Sequence, residues 1–101
     1  MYLAGFTPVS FGEMDEDQID HLGVEPVYLQ LAGILRRQIA AGELIVGRPV
    51  PSREQLRQRY EISDGTAGRA VALLVSEGLV RIVPGRGAFV VAKRSRKPEA
   101  G

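Results

Sequence analysis

At 101 residues the chain has room for one small domain with a modest core and little to spare. It contains no cysteine and a single histidine, which excludes disulfides and thiolate metal sites and argues against histidine triads; no apolar run reaches the roughly 18 residues of a membrane span. The formal net charge of +1 hides a segregation: residues 1–26 hold six acids and no lysine or arginine, whereas residues 27–101 hold all 13 basic residues against six acids. A basic body with an acidic appendage points to an anionic partner for the body, the plainer alternative being a solvated acidic tail on an ordinary domain. The N-terminus lacks the basic-then-apolar layout of a signal peptide, so a soluble cytoplasmic protein is expected.

Residues 1–24 show no clean period. MYLAGFTPVSFGEM scatters apolar residues between Gly5, Pro8 and Gly12, and DEDQIDHL offers one or two helical turns, with Asp15 as cap and Gly23 as stop. This stretch reads as an acidic extension, and residues 25–92 as the main domain. From Val27 the pattern sharpens: Tyr28, Leu31, Ala32, Leu35 and Ile39 share one helical face, predicting a helix over 27–41 with Pro26 before it and Gly42 as its C-terminal cap. GELIVGRPVP then reads as a loop. Ser52-Arg53-Glu54-Gln55 has the form of a capping box and opens a short helix over 53–60. After a tight turn at Glu61-Ile62, Ser63 caps a third helix with Ala67, Ala70, Val71, Leu74 and Val75 on one side and Gly78 at its end. LVRIV and AFVV, rich in β-branched residues and separated by PGRG, predict a hairpin over 79–83 and 88–92. The polar tail 93–101, KRSRKPEAG, is expected to be disordered. The expected fold class is mainly α with a small β-hairpin, three helices plus a projecting arm.

VYLQLAGILRRQIAAGEL, VPSREQLRQRYEIS, AVALLVSEGLV and PGRGAFV, in that order over residues 27–92, resemble the winged helix-turn-helix DNA-binding domain of GntR-type bacterial transcription regulators. The resemblance implies a third helix in the DNA major groove, a second helix bracing it and a wing turn reaching the adjacent minor groove. It also implies a homodimer on an inverted-repeat operator of double-stranded DNA. Departures are concentrated where sequence would be read. The family pattern P-S-E-R-E-L places arginine at the position of Glu54, whereas here Arg53 precedes Glu54. The pattern S-R-x-T-V-R places arginines at the positions of Asp64 and Gly68, and neither is present. Ser63 and Thr66 match, and Arg69 stands one place after the usual arginine. Family members normally carry a C-terminal effector or dimerisation domain. Only nine residues follow Ala92, so either a naturally short regulator or a fragment is expected, with no ligand sensing carried over.

The expected DNA-contacting set is Ser52, Arg53, Ser63, Asp64, Gly65, Thr66, Arg69, Gly85, Arg86 and Gly87. Gly65 and Gly68 weaken a helix start, a mid-helix glycine costing about 0.8–1 kcal/mol relative to alanine. Either Gly68 permits close packing against another helix, or both glycines leave the DNA-facing surface bare for backbone approach. Asp64 either complements the helix dipole or accepts from a cytosine amino group. Arg53 and Arg69 stand near helix starts, where cations meet phosphate. Arg86 stands between two glycines at the hairpin tip, suited to a minor groove. Lys93, Arg94, Arg96 and Lys97 add nonspecific phosphate attraction. Tyr2, Leu3, Phe6, Val9 and Phe11, with Leu29 and Ile34, are candidates for a dimer contact. The function expected is sequence-specific duplex binding in transcriptional control, most often repression. The alternative is a winged helix used for protein–protein contact with DNA binding lost. No nucleophile–base pair, phosphate loop or metal constellation suggests an enzyme or a cofactor.

Overall fold

A computed structural model describes residues 17–94. The apolar cluster Tyr2–Phe11 and the last residues of the basic tail lie outside the described residues. The first helix, α1 (Val27–Ala40), begins at Pro26, whose carbonyl accepts from the N–H groups of Leu29 and Gln30. It ends where Gly42, at φ +84°, turns the chain back so that the Glu43 and Leu44 N–H groups donate to the Gln38 carbonyl. The second helix, α2 (Arg53–Tyr60), has the full capping box: Ser52 Oγ accepts from Gln55 N–H at 3.1 Å, and Gln55 Oε1 accepts from Ser52 N–H at 2.9 Å. It closes on Glu61 in the left-handed conformation (φ 57°). The third helix, α3 (Asp64–Ser76), is capped by Ser63, whose Oγ accepts from Thr66 N–H at 3.0 Å. Gly78 (φ +82°) then reverses the chain into the hairpin.

The hairpin pairs β1 (Val80–Val83) with β2 (Gly87–Val90) antiparallel, in the register Val80↔Val90 through Val83↔Gly87. Its second strand ends two residues short of the predicted one. The stretch expected as plain loop also contributes. Gly47 N–H donates to Val90 O, Val90 N–H to Arg48 O and Val50 N–H to Ala88 O, all at 2.8–2.9 Å, and Pro49 bridges Phe89. These bonds satisfy the outer edge of β2, which would otherwise stand open. Two prolines and a glycine within residues 47–51 mask this pairing in the sequence, because they break any strand period.

The core lies between α1, α2, α3 and the base of the hairpin, with Leu31, Leu35, Ile39, Leu56, Leu74, Leu79 and Val90 fully buried. Ile34, a candidate dimer contact by sequence, belongs to this core instead. The stripe that α1 buries is broad enough to include it, because α3 and the preceding chain pack on that helix. Arg36 of α1 and Glu77 beyond α3 form a bidentate pair at 2.7 and 2.8 Å across the α1–α3 contact. The hydrogen bond to Glu77 raises the Arg36 pKa further against the opposing effect of burial, so its charge persists at any working pH.

Residues 17–26 make turns and no helix, although a turn or two of helix was expected nearby. They are laid on the domain by specific bonds. Asp17 pairs with Arg37, and Ile19 packs on the core. His21 Nε2 lies 3.0 and 3.2 Å from the carbonyls of Tyr60 and Glu61. Gln30 bonds the backbone of Asp20 and Glu25. Leu74, fully buried on α3 where α1 and α2 meet it, tests the packing: Leu74→Ala should cost about 3 kcal/mol in urea unfolding. A loss under about 1 kcal/mol would contradict the placement of α3.

Candidate nucleic-acid interface

One face of α3 is sealed in the core, and the adjoining face, which shares Val71 with it, borders a groove of about 700 Å³. Three elements enclose it: the start of α2 with Ser52 and Arg53, the flank of α3 with Gly68, Ala72 and Val75 and the edge of the core residue Val71, and the hairpin with Ile82, Arg86 and Gly87. The sequence predicted Val75 as core-facing, but it is 36% exposed and Ile82 is 54% exposed, both on the groove wall. The groove therefore has an apolar wall with cations supplied from two separate elements.

The hairpin turn owes its shape to Gly85 (φ +79°) and Gly87 (φ +114°), conformations that favour glycine. Arg86 N–H donates to Val83 O at 2.9 Å, and its exposed side chain has no ion pair among the described residues. At the start of α3, Ser63 Oγ serves both the Thr66 N–H and the Thr66 hydroxyl, at 3.0 and 2.9 Å. Ser63 and Thr66 thus order the first turn. Gly65 faces open space, since a Cβ built there meets nothing within 4 Å. Arg69 does not line the groove. Its guanidinium carbon sits 4.4 Å from the centre of the Tyr28 ring of α1, a cation–π contact.

The departures from the family pattern meet at one point. Arg53 Nη1 donates to Asp64 Oδ2 at 2.9 Å, joining the first residues of α2 and α3. The same guanidinium covers Gly68: a Cβ there would stand 3.1 Å from Cζ and from Nη2 of Arg53, and 3.4 Å from Nε. Gly68 is thus neither a helix–helix contact nor a bare patch, the two readings its sequence context suggested. Its missing side chain makes room for an arginine. Asp64, already in the first turn of its helix, is committed to the same arginine. The sequence reading set Gly68 on the DNA-facing side as one alternative but did not place Val71, Val75 or Ile82 on the groove. The available signal was the excess of apolar residues on α3 beyond what one buried face uses.

The two glycines should respond differently to alanine. Gly65→Ala should raise thermal stability, by up to about 1 kcal/mol, because helical backbone and open space both accept the methyl. Gly68→Ala should gain less, because the Arg53 guanidinium must give way. Equal gains from differential scanning calorimetry would contradict the Arg53–Gly68 contact.

Residues 27–90 match the family model for bacterial regulatory proteins, gntR family. The chain is 40% identical over 65 residues to the HTH-type transcriptional repressor NagR of Bacillus subtilis (strain 168), covering 64% of this chain but only 27% of that repressor. Among solved structures it is similar to YtrA from Sulfolobus acidocaldarius, a GntR-family transcription factor, with a TM-score of 0.69 and 31% identity over 76% of this chain and 81% of that one. It is also similar to AraR(DBD) in complex with operator ORR3, with a TM-score of 0.63 and 32% identity over 71% of this chain and 90% of that one. With the capped helix pair, the hairpin wing and this match across most of its length, the chain belongs to the gntR family of bacterial regulatory proteins.

Proposed function

We propose that this domain binds double-stranded DNA in a sequence-dependent manner and serves transcriptional control, as a repressor at an operator. The observation that carries the reading is the convergence of Arg53 and Arg86, from separate elements, on one groove beside the start of α3. The DNA-bound state of the similar AraR domain and the repressor name of NagR support it. On this reading α3 enters the major groove through its first turns, where Asp64, Gly65, Thr66 and Gly68 are presented. Free N–H groups and the positive dipole end at the starts of α2 and α3 attract phosphate, with Ser52 and Ser63 ordering those turns. Arg86, extended by Gly85 and Gly87, reaches the neighbouring minor groove, whose negative potential favours a guanidinium. Arg69, held on Tyr28, serves the phosphate backbone beside α1. The role is that of a binding module, with its site of action in the cytoplasm on the nucleoid. Among the described residues no helix is long and apolar enough to cross a membrane.

The functional unit on this reading is a homodimer on an inverted repeat, with the N-terminal extension as the contact. Its support is the apolar set Tyr2, Leu3, Phe6, Val9 and Phe11 in the sequence and the near-complete exposure of Leu22 and Val24.

Selection of bound duplexes from a random pool at two salt concentrations should return one shared motif with twofold symmetry. Failure to enrich any motif, with no binding even in dilute salt, would overturn the function. Arg86→Ala should weaken binding to the selected duplex about fivefold, with an unchanged melting temperature and a shallower salt dependence. Unaltered affinity at moderate salt would remove the wing from the interface. Deletion of residues 1–24 should convert the protein from dimer to monomer in sedimentation equilibrium. A truncated chain that still sediments as a dimer would place the contact elsewhere.

A further inference from the structure

We infer that Arg53, Asp64 and Gly68 form a single base-reading unit, in which an arginine delivered from α2 replaces side chains that α3 itself lacks. The inference rests on the proposed binding of DNA by this face. Three observations carry it. Arg53 Nη1 is held by Asp64 Oδ2 at 2.9 Å, so one of the two terminal nitrogens is anchored while Nη2 and Nε keep their N–H groups. The guanidinium lies over Gly68 at 3.1 Å from where a Cβ would be, so it rests on the outer surface of α3 a full turn inside the helix. Both charged side chains remain 59% exposed, and Arg53 lines the groove together with Arg86.

An ion pair this exposed contributes little to stability, since solvent screens it. Gly68 adopts ordinary helical backbone, so no turn or left-handed angle demands a glycine there. Folding therefore accounts for neither residue. Position does: the carboxylate below and the absent side chain beside it fix where the guanidinium can lie. An arginine with its planar fork oriented in advance loses less freedom when it donates two hydrogen bonds at once. The major-groove edge that accepts two such bonds is the O6 and N7 of guanine. Arg53 is thus the specificity-determining residue, and Asp64 and Gly68 are positioning residues acting through it. The chemistry recognised is a guanine at one position of each half-site.

The test uses the full 101-residue chain and the duplex that it selects from a random pool. Affinities by fluorescence anisotropy are compared for that duplex, for each single base-pair replacement, and for a random-sequence duplex. For the unaltered protein, replacing one guanine should cost about tenfold. For Arg53→Lys, which keeps the charge but not the fork, that replacement should cost less than about twofold, with random-duplex affinity within about twofold of the unaltered protein. Asp64→Asn and Gly68→Ala, checked for unchanged helical circular dichroism, should reduce discrimination at the same position and no other. The inference is overturned if Arg53→Lys keeps full discrimination everywhere, if the lost discrimination is not for guanine, or if Asp64→Asn and Gly68→Ala leave that position unaffected. A chain that selects no motif at all fails earlier and refutes the DNA-binding reading itself, so the two failures are distinguishable.

Discussion

The one-sided burial of α3 is the constraint on which the rest depends. Ala67, Ala70, Val71 and Leu74 close its inner face against α1 and α2, and Leu79 and Val90 lock the hairpin to the same core. Among the described residues no second layer covers the groove side of the helix. That face is left to solvent and to any ligand, and the hairpin that follows Gly78 becomes the far wall of a groove. The Arg36–Glu77 pair fastens the C-terminal end of α3 to α1.

The charges follow the same geometry. Near the start of the described chain Asp17 engages Arg37 of α1 and His21 meets the end of α2, and none of these residues lines the groove. The groove keeps Arg53 and Arg86 on its lining, and among the described residues Asp64 is the one carboxylate bonded to either. On the proposed DNA-binding role, an acid on this face would repel phosphate unless a neighbouring cation already neutralised it. The Arg53–Asp64 pair meets that condition, and Gly68 supplies the space it needs. Three departures from the family pattern that look unrelated in sequence thus meet in one contact between two helices.

Much of the architecture was legible in the chain. The period of Leu31, Ala32, Leu35 and Ile39, the S-x-x-Q box at Ser52, the Ser63 cap and the PGRG turn each express a local rule, and each element formed within a residue or two of its expected bounds. Less legible were the pairing of residues 47–50 with β2 and the burial of Ile34. The first depends on a partner strand some forty residues away, and the second on how many neighbours crowd α1. The site was half visible. Arg86 between two glycines announces an exposed cation. Arg53 announces only a charge at a helix start, and Gly68 only a weak helix position.

The sequence by itself determined the helices, their caps, the hairpin and the segregation of charge, because these arise from contacts within a few residues of one another. Tertiary structure alone decided which face of α3 is free, that Val75 and Ile82 border a groove, that Arg69 turns toward Tyr28, and that Arg53 lies on Gly68. Those contacts join residues that local periodicity cannot relate, and they exist only once the core has fixed the angles between the helices.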